Sequence, residues 1–268
     1  MAAQPPYPRR CSSADRMMWI TPDRVFYAGL LGAPAMHPKG CLIAYVALEG
    51  PLRIRSEGGS WCSTEVAVVP PYVPFQVACE GRHALGLLLE PETLDFARLP
   101  AVLQARGAVD APAFARHVRR RHAELVASGP DAVMHARDFD PLFFGDALPR
   151  RAIDPRIEAV LARLRAEPAA PLPAQECAAQ AGLSFSRFLH LFKGETGIPF
   201  RSLRAWKRAR SLLHHVTRAD PLIDVALDIG YPDSTHFSHS IRQTYGLKPR
   251  DIVAGSRKLR VIAHGTTA

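Results

Sequence analysis

The sequence predicts an α+β chain of two domains, a β-barrel or sandwich with a helix pair followed by an all-α domain of two helix-turn-helix units joined by a long helix. Three observations carry this. Short β-rich runs crowd residues 42–90, a two-helix unit recurs in tandem in the second half, and the positive charge sits almost wholly in that half. The 268 residues suffice for two domains of ordinary size. With 47% hydrophobic and 22% charged residues the chain can bury sizeable cores, which excludes fibrous and wholly disordered classes.

From Leu42 to about Glu90 the runs CLIAYVALEG, PLRIRS, EVAVVPPYVPFQVACEG and HALGLLLE are separated by Gly, Pro and Ser turns, as strands of a barrel or sandwich are. Past Pro91 the period becomes helical. ETLDFARLPAVLQARG and APAFARHVRRRHAELVAS read as a helix pair, the second with Phe114, Val118 and Leu125 on one apolar stripe that needs a partner surface. Its basic run HVRRRH falls on the wet side. Residues 128–155 are rich in Asp, Pro and Gly, which puts the boundary between domains 1–150 and 151–268 near 145–155.

Lys and Arg number 34 against 25 Asp and Glu, a net charge of +9. Residues 1–150 hold 16 basic and 15 acidic side chains, and residues 151–268 hold 18 and 10. A surplus of +8 on the smaller part fits a polyanionic partner. The five cysteines, at 11, 41, 62, 79 and 177, form no CxxC pair and no close group with His, so neither a disulfide framework nor a structural zinc site is indicated. The N-terminal residues hold no apolar run suited to secretion and no segment is apolar enough to span a membrane; a cytoplasmic protein is expected.

The repeat is the most informative feature. CAAQAGLSFSRFLHLFKGETGI (177–198) aligns with VALDIGYPDSTHFSHSIRQTYGL (225–247), pairing Ala178 with Ala226, Gly182 with Gly230, Phe188 with Phe237, Phe192 with Ile241, Lys193 with Arg242 and Gly197 with Gly246. The small Ala lets two helices approach, the Gly takes the positive φ that ends the first helix, and Ser184 or Asp233 caps the second. Helical periodicity turns Phe185, Phe188, Leu191 and Phe192 inward in the first copy and Phe237, Ile241 and Tyr245 in the second. Left outward are Ser186, Arg187, Leu189, His190 and Lys193, and then Ser234, Thr235, Ser238, His239 and Arg242. Between the copies, Phe200 to Val216 reads as one helix roughly 26 Å long at 1.5 Å per residue, able to hold two recognition helices in successive major-groove segments about 34 Å apart. Trp206 reads as core, and Cys177 as a small buried hydrophobe.

In AxxxGLSxSRFxxLFKxETG (178–197), Arg208, and AxxxGYxDSTHFSxxIRxxYGLKP (226–249), the chain resembles the AraC/XylS family of transcription regulators from Asp154 to Ile252. The resemblance implies two helix-turn-helix units, about 173–194 and 222–245, that contact double-stranded DNA through the outward residues named above; His239 stands where relatives commonly carry Arg. VALEGPLRIRSEGGSW and AVVPPYVPFQV resemble, more loosely, the cupin-like effector-binding and dimerisation domain of many members. Implied with it are a homodimer, a small-molecule effector, RNA polymerase as a further partner, and no enzymatic activity. Tyr45, Arg53, Arg55, Trp61 and Phe75, on or between strands, are the candidate effector contacts. The competing reading is a cupin-type metal-dependent enzyme fused to a DNA-binding domain. Metal-binding cupins need clustered His and carboxylate ligands, whereas His37 stands alone and Phe75 occupies the usual second-motif histidine position, so no metal or cofactor is expected.

Overall fold

The computed structural model describes residues 15–32, 34–81, 83–128, 134–218, 220–256 and 259–263; Cys11 and most of the N-terminal segment weighed above for secretion lie outside them. Strands β1 (Met17–Ile20), β2 (Arg24–Leu30), β3 (His37–Pro38), β4 (Leu42–Ala47), β5 (Leu52–Ser56), β6 (Cys62–Thr64), β7 (Val66–Val69), β8 (Pro74–Cys79), β9 (His83–Leu89) and β10 (Gly107–Val109) build the N-terminal part. One sheet runs β10-β7-β4-β9-β2-β1 and continues into β11 (Arg260–Ala263) from the far end of the chain; the other runs β3-β8-β5-β6. The runs read as strands are β4, β5, β7, β8 and β9. Strands β1 and β2 extend that sheet upstream of the segment the sequence marked.

Alternation fixes the faces. On β5, Leu52 and Ile54 are buried while Arg53 is exposed and Arg55 half-buried, so the two arginines lie outside the sandwich. The central strands β4 and β7 are buried at every position, as strands covered on both faces must be.

The expected helix pair is one helix. Residues 91–105 form two single 3₁₀ turns and the short α1 (Ala101–Gln104), because Pro100 lacks an N–H and forces Leu99 to an extended ψ of 155°. Helix α2 (Pro112–Ala127) lays Ala115, Val118, His122 and Leu125 on the large sheet, and α3 (Phe139–Phe144) closes the same core with Phe139 and Phe143. Trp19 lies tilted at 45° to Phe139, 5.1 Å away, and Phe26 stacks 4.8 Å from Phe143. The Phe114/Val118/Leu125 stripe therefore finds its partner surface within its own chain, and Arg116 and Arg120 face solvent.

The C-terminal part comprises α4 (Pro155–Ala166), α5 (Ala174–Gln180), α6 (Phe185–Thr196), α7 (Phe200–Arg210), α8 (Leu222–Asp228), α9 (Ser234–Tyr245) and α10 (Pro249–Ser256). The connecting helix is shorter than expected: α7 stops at Arg210, about 16 Å long at 1.5 Å per residue, and Ser211–His214 tighten into a 3₁₀ turn that sends Leu212 into the core of the second unit. Both units pack on the N-terminal part. Ile43, Tyr45, Leu52 and Ile54 share one core with Leu161, Phe188, Phe192 and Trp206, and Met18, Ile20 and Val25 share another with Leu212, Phe237 and Ile241. No helix of the described residues is long and apolar enough to cross a membrane.

Candidate functional site

Two features stand out, the outer faces of α6 and α9 and a cavity between the two parts of the chain. Gly182 and Gly230 end α5 and α8 with φ of 65° and 82°, as the turns require. Ser184 then caps α6, accepting from the Arg187 backbone N–H, while Asp233 caps α9 at 2.8 Å from both Thr235 and His236 N–H. Phe188, Phe192, Phe237 and Ile241 are the buried anchors. The other side of each helix is open. Ser186, Arg187, His190 and Lys193 are exposed on α6, and Ser234, Thr235, His239 and Arg242 on α9; Leu189 and Ser238 are half-buried, Leu189 against the core. Phe185 departs from its expected inward setting. As the first residue of α6 it projects beyond the core and is 46% exposed, which adds an apolar side chain beside Ser186. His236 is a further exposed residue that periodicity did not single out; its ring bonds Asp233 at 2.7 Å.

The cavity, about 240 Å³, lies between the sandwich and the second unit, walled by Tyr27, Leu31, Tyr45, Phe75 and Val77 on one side and Trp206, Leu213, Tyr245 and Ile252 on the other. Of the five candidate effector residues, Tyr45 and Phe75 line it. Arg53, Arg55 and Trp61 do not, because they point outward from β5 and from the turn leading into β6, where both guanidiniums stack on the Trp61 ring at 5.4 and 4.9 Å. His37 and Lys39 bring the polar groups that the sequence reading left out. His37 Nδ1 bonds the Ala35 carbonyl at 3.0 Å, and Lys39 Nζ donates to its Nε2. Burial, and then the Lys39 charge, push the imidazole down to about 4, so it is neutral. Burial likewise lowers the Lys39 ammonium to about 8, and among the described residues no carboxylate forms an ion pair with it. Across the β3–β8 pair, His37 stands opposite Phe75, so it has no ligand partner there.

A family model described as a helix-turn-helix domain matches residues 177–254. Invasion protein InvF of Salmonella typhimurium is 33% identical over 72 residues, 26% of this chain and 33% of that protein. The HTH-type transcriptional activator RhaS of Klebsiella pneumoniae is 35% identical over 105 residues, 38% of this chain and 37% of its own length. The helical part carries an AraC-type helix-turn-helix domain. It spans about a third of the curated relatives it matches, and the matched third is the helical part. Across both parts the fold resembles an apo form of ToxT from Vibrio cholerae, with a TM-score of 0.57 at 11% identity over 87% of this chain and 97% of that one. A second ToxT structure, bound to a methylnaphthalenyl-butenoic acid, gives 0.55 at 8% identity over 87% and 98%. The matched helix-turn-helix domain thus runs from α5 to α10, and its connecting helix forms part of the cavity wall through Trp206.

Proposed function

We propose that this protein is a transcription regulator that reads double-stranded DNA with the outward residues of α6 and α9 and answers to a small effector held between its two parts. The tandem pair of capped helices with exposed polar outer faces carries this reading. Two copies at one operator, and RNA polymerase as the next partner, follow from the family resemblance. The metal-enzyme alternative is not favoured: among the described residues no three His, Cys, Asp or Glu gather to hold an ion. The test is selection of bound sequences from random DNA with the full chain. Lys193→Ala and Arg242→Ala should then weaken binding to all sequences alike, whereas Ser186→Ala, His190→Ala and Ser238→Ala should each relax one base preference by about 1–3 kcal/mol. Absence of any enriched sequence would sink the reading.

The effector we propose is an apolar acid, its carboxylate on Lys39 and its body along Tyr45, Phe75 and Trp206. A mostly apolar cavity whose Lys39 forms no ion pair among the described residues favours that class, although Asp251 also lines it, and ToxT has been solved with such an acid. The vacant ammonium also costs stability. Its folded pKa lies below the unfolded 10.5, so the unfolded state binds the proton more tightly; the cost is complete below about 8 and disappears as pH rises to 10.5. Lys39→Met should therefore stabilise the protein by about 2 kcal/mol at pH 7, after allowance for its partial exposure, and lose the acid. Urea denaturation at pH 7 and pH 10.5 reads the first effect and calorimetry with decanoate the second. An equal gain at both pH values would contradict the assignment.

A further inference from the structure

The connecting helix is gripped from the N-terminal side by a buried carboxylate. Glu90, at the end of β9 and 2% exposed, accepts from Trp206 Nε1 at 2.9 Å and Lys207 Nζ at 2.8 Å, and pairs with Arg210 Nε at 2.8 Å. Glu92, fully buried, meets Lys207 at 2.5 Å, so two acids face two cations. All three donors lie on α7, the helix that joins the two recognition units. A buried ionic cluster of this kind adds little net stability over apolar packing, but it defines one arrangement, because loss of any member leaves charge unpaired in a low dielectric. Trp206 takes part twice. Its nitrogen binds Glu90 while its ring lies against Gly40, near Tyr245 at 6.2 Å, and walls the cavity.

We infer that Glu90 is an interdomain latch, which carries the state of the cavity through Trp206 to the helix that spaces the recognition helices. This rests on the cavity's being the effector site. A ligand seated against the indole shifts it, removes one donor from Glu90 and loosens the hold on α7; the two ligands, effector and DNA, are then linked through that one equilibrium.

The test uses full-length Glu90→Gln, which keeps the shape and removes the charge. Without any ligand, amides 203–210 should exchange with solvent about tenfold faster than in the wild type. Unchanged exchange overturns the latch whatever the effector is. In a second arm, saturating decanoate should shift wild-type affinity for the selected DNA about fivefold, whereas the variant should bind decanoate normally and show no shift. Equal shifts in both proteins, or none in the wild type once decanoate binds, would also overturn the latch. Decanoate bound by neither protein would instead count against the effector reading and leave exchange to decide the latch. If Glu90→Gln does not fold, Lys207→Met carries the same expectations.

Discussion

Phe192→Ala should lower stability by about 3–5 kcal/mol and abolish DNA binding at temperatures where the wild type is folded. The ring is completely buried. It meets Phe200 edge-on, with centroids 5.2 Å apart and planes at 85°, and Phe188 at 5.8 Å; Phe188 and Phe200 lie 5.4 Å apart. Each ring thus presents an edge or a tilted face to the other two, an arrangement that smaller side chains cannot refill. The loss spreads, because this cluster is continuous with Ile54 and Tyr45 of the sandwich. Phe185→Ala on the same helix should change stability far less, by under about 1 kcal/mol, since that ring lies outside the core and is nearly half exposed. Chemical denaturation of the pair checks both; equal losses would mean that α6 is rotated from the setting described here.

The repeat was legible because local rules write it. In each copy a glycine at positive φ, a polar cap and an apolar stripe of period 3.6 lie within about 20 residues of one another, so no tertiary knowledge was needed. Strands β4, β5, β7, β8 and β9 were legible through their turn punctuation, whereas the three-residue β6 was not. What escaped depends on distance along the chain. Strand β11 has only four residues, and its ladder partner Met17 lies at the opposite end. Helix α7 reads as a basic run, yet Lys207 finds Glu90 117 residues away, and only the folded chain reveals that two of its cations point inward. The cavity shows the same limit: Tyr45 and Phe75 could be guessed from strand position, whereas Lys39 gains its meaning from its burial in the cavity wall without a carboxylate ion pair among the described residues. Phe185 misled because a periodic stripe takes no account of where the helix begins.

That inward pair also sets the salt dependence of DNA binding. The surplus of +8 in residues 151–268 overstates what a phosphate can meet, because Lys207 and Arg210 are neutralised by Glu90 and Glu92 from the other half. Among the described residues, exposed cations on or just after the two recognition helices are Arg187 and Lys193 on α6, Arg242 on α9, and Arg201 and Lys248 beyond them. If these five are the phosphate contacts, the slope of log affinity against log salt is about −4.5, and raising salt from about 50 to about 200 mM should weaken binding by about 10²–10³. Lys193→Ala should bring the slope down by about 1. Lys207→Met, measured well below its unfolding temperature, should leave the slope as it is, since a buried ammonium condenses no counterion and releases none. A slope near zero for the wild type would remove the phosphate role from these faces. A shallower slope for Lys207→Met would mean instead that α7 turns this lysine outward when DNA binds, so that the cluster at Glu90 opens on the operator.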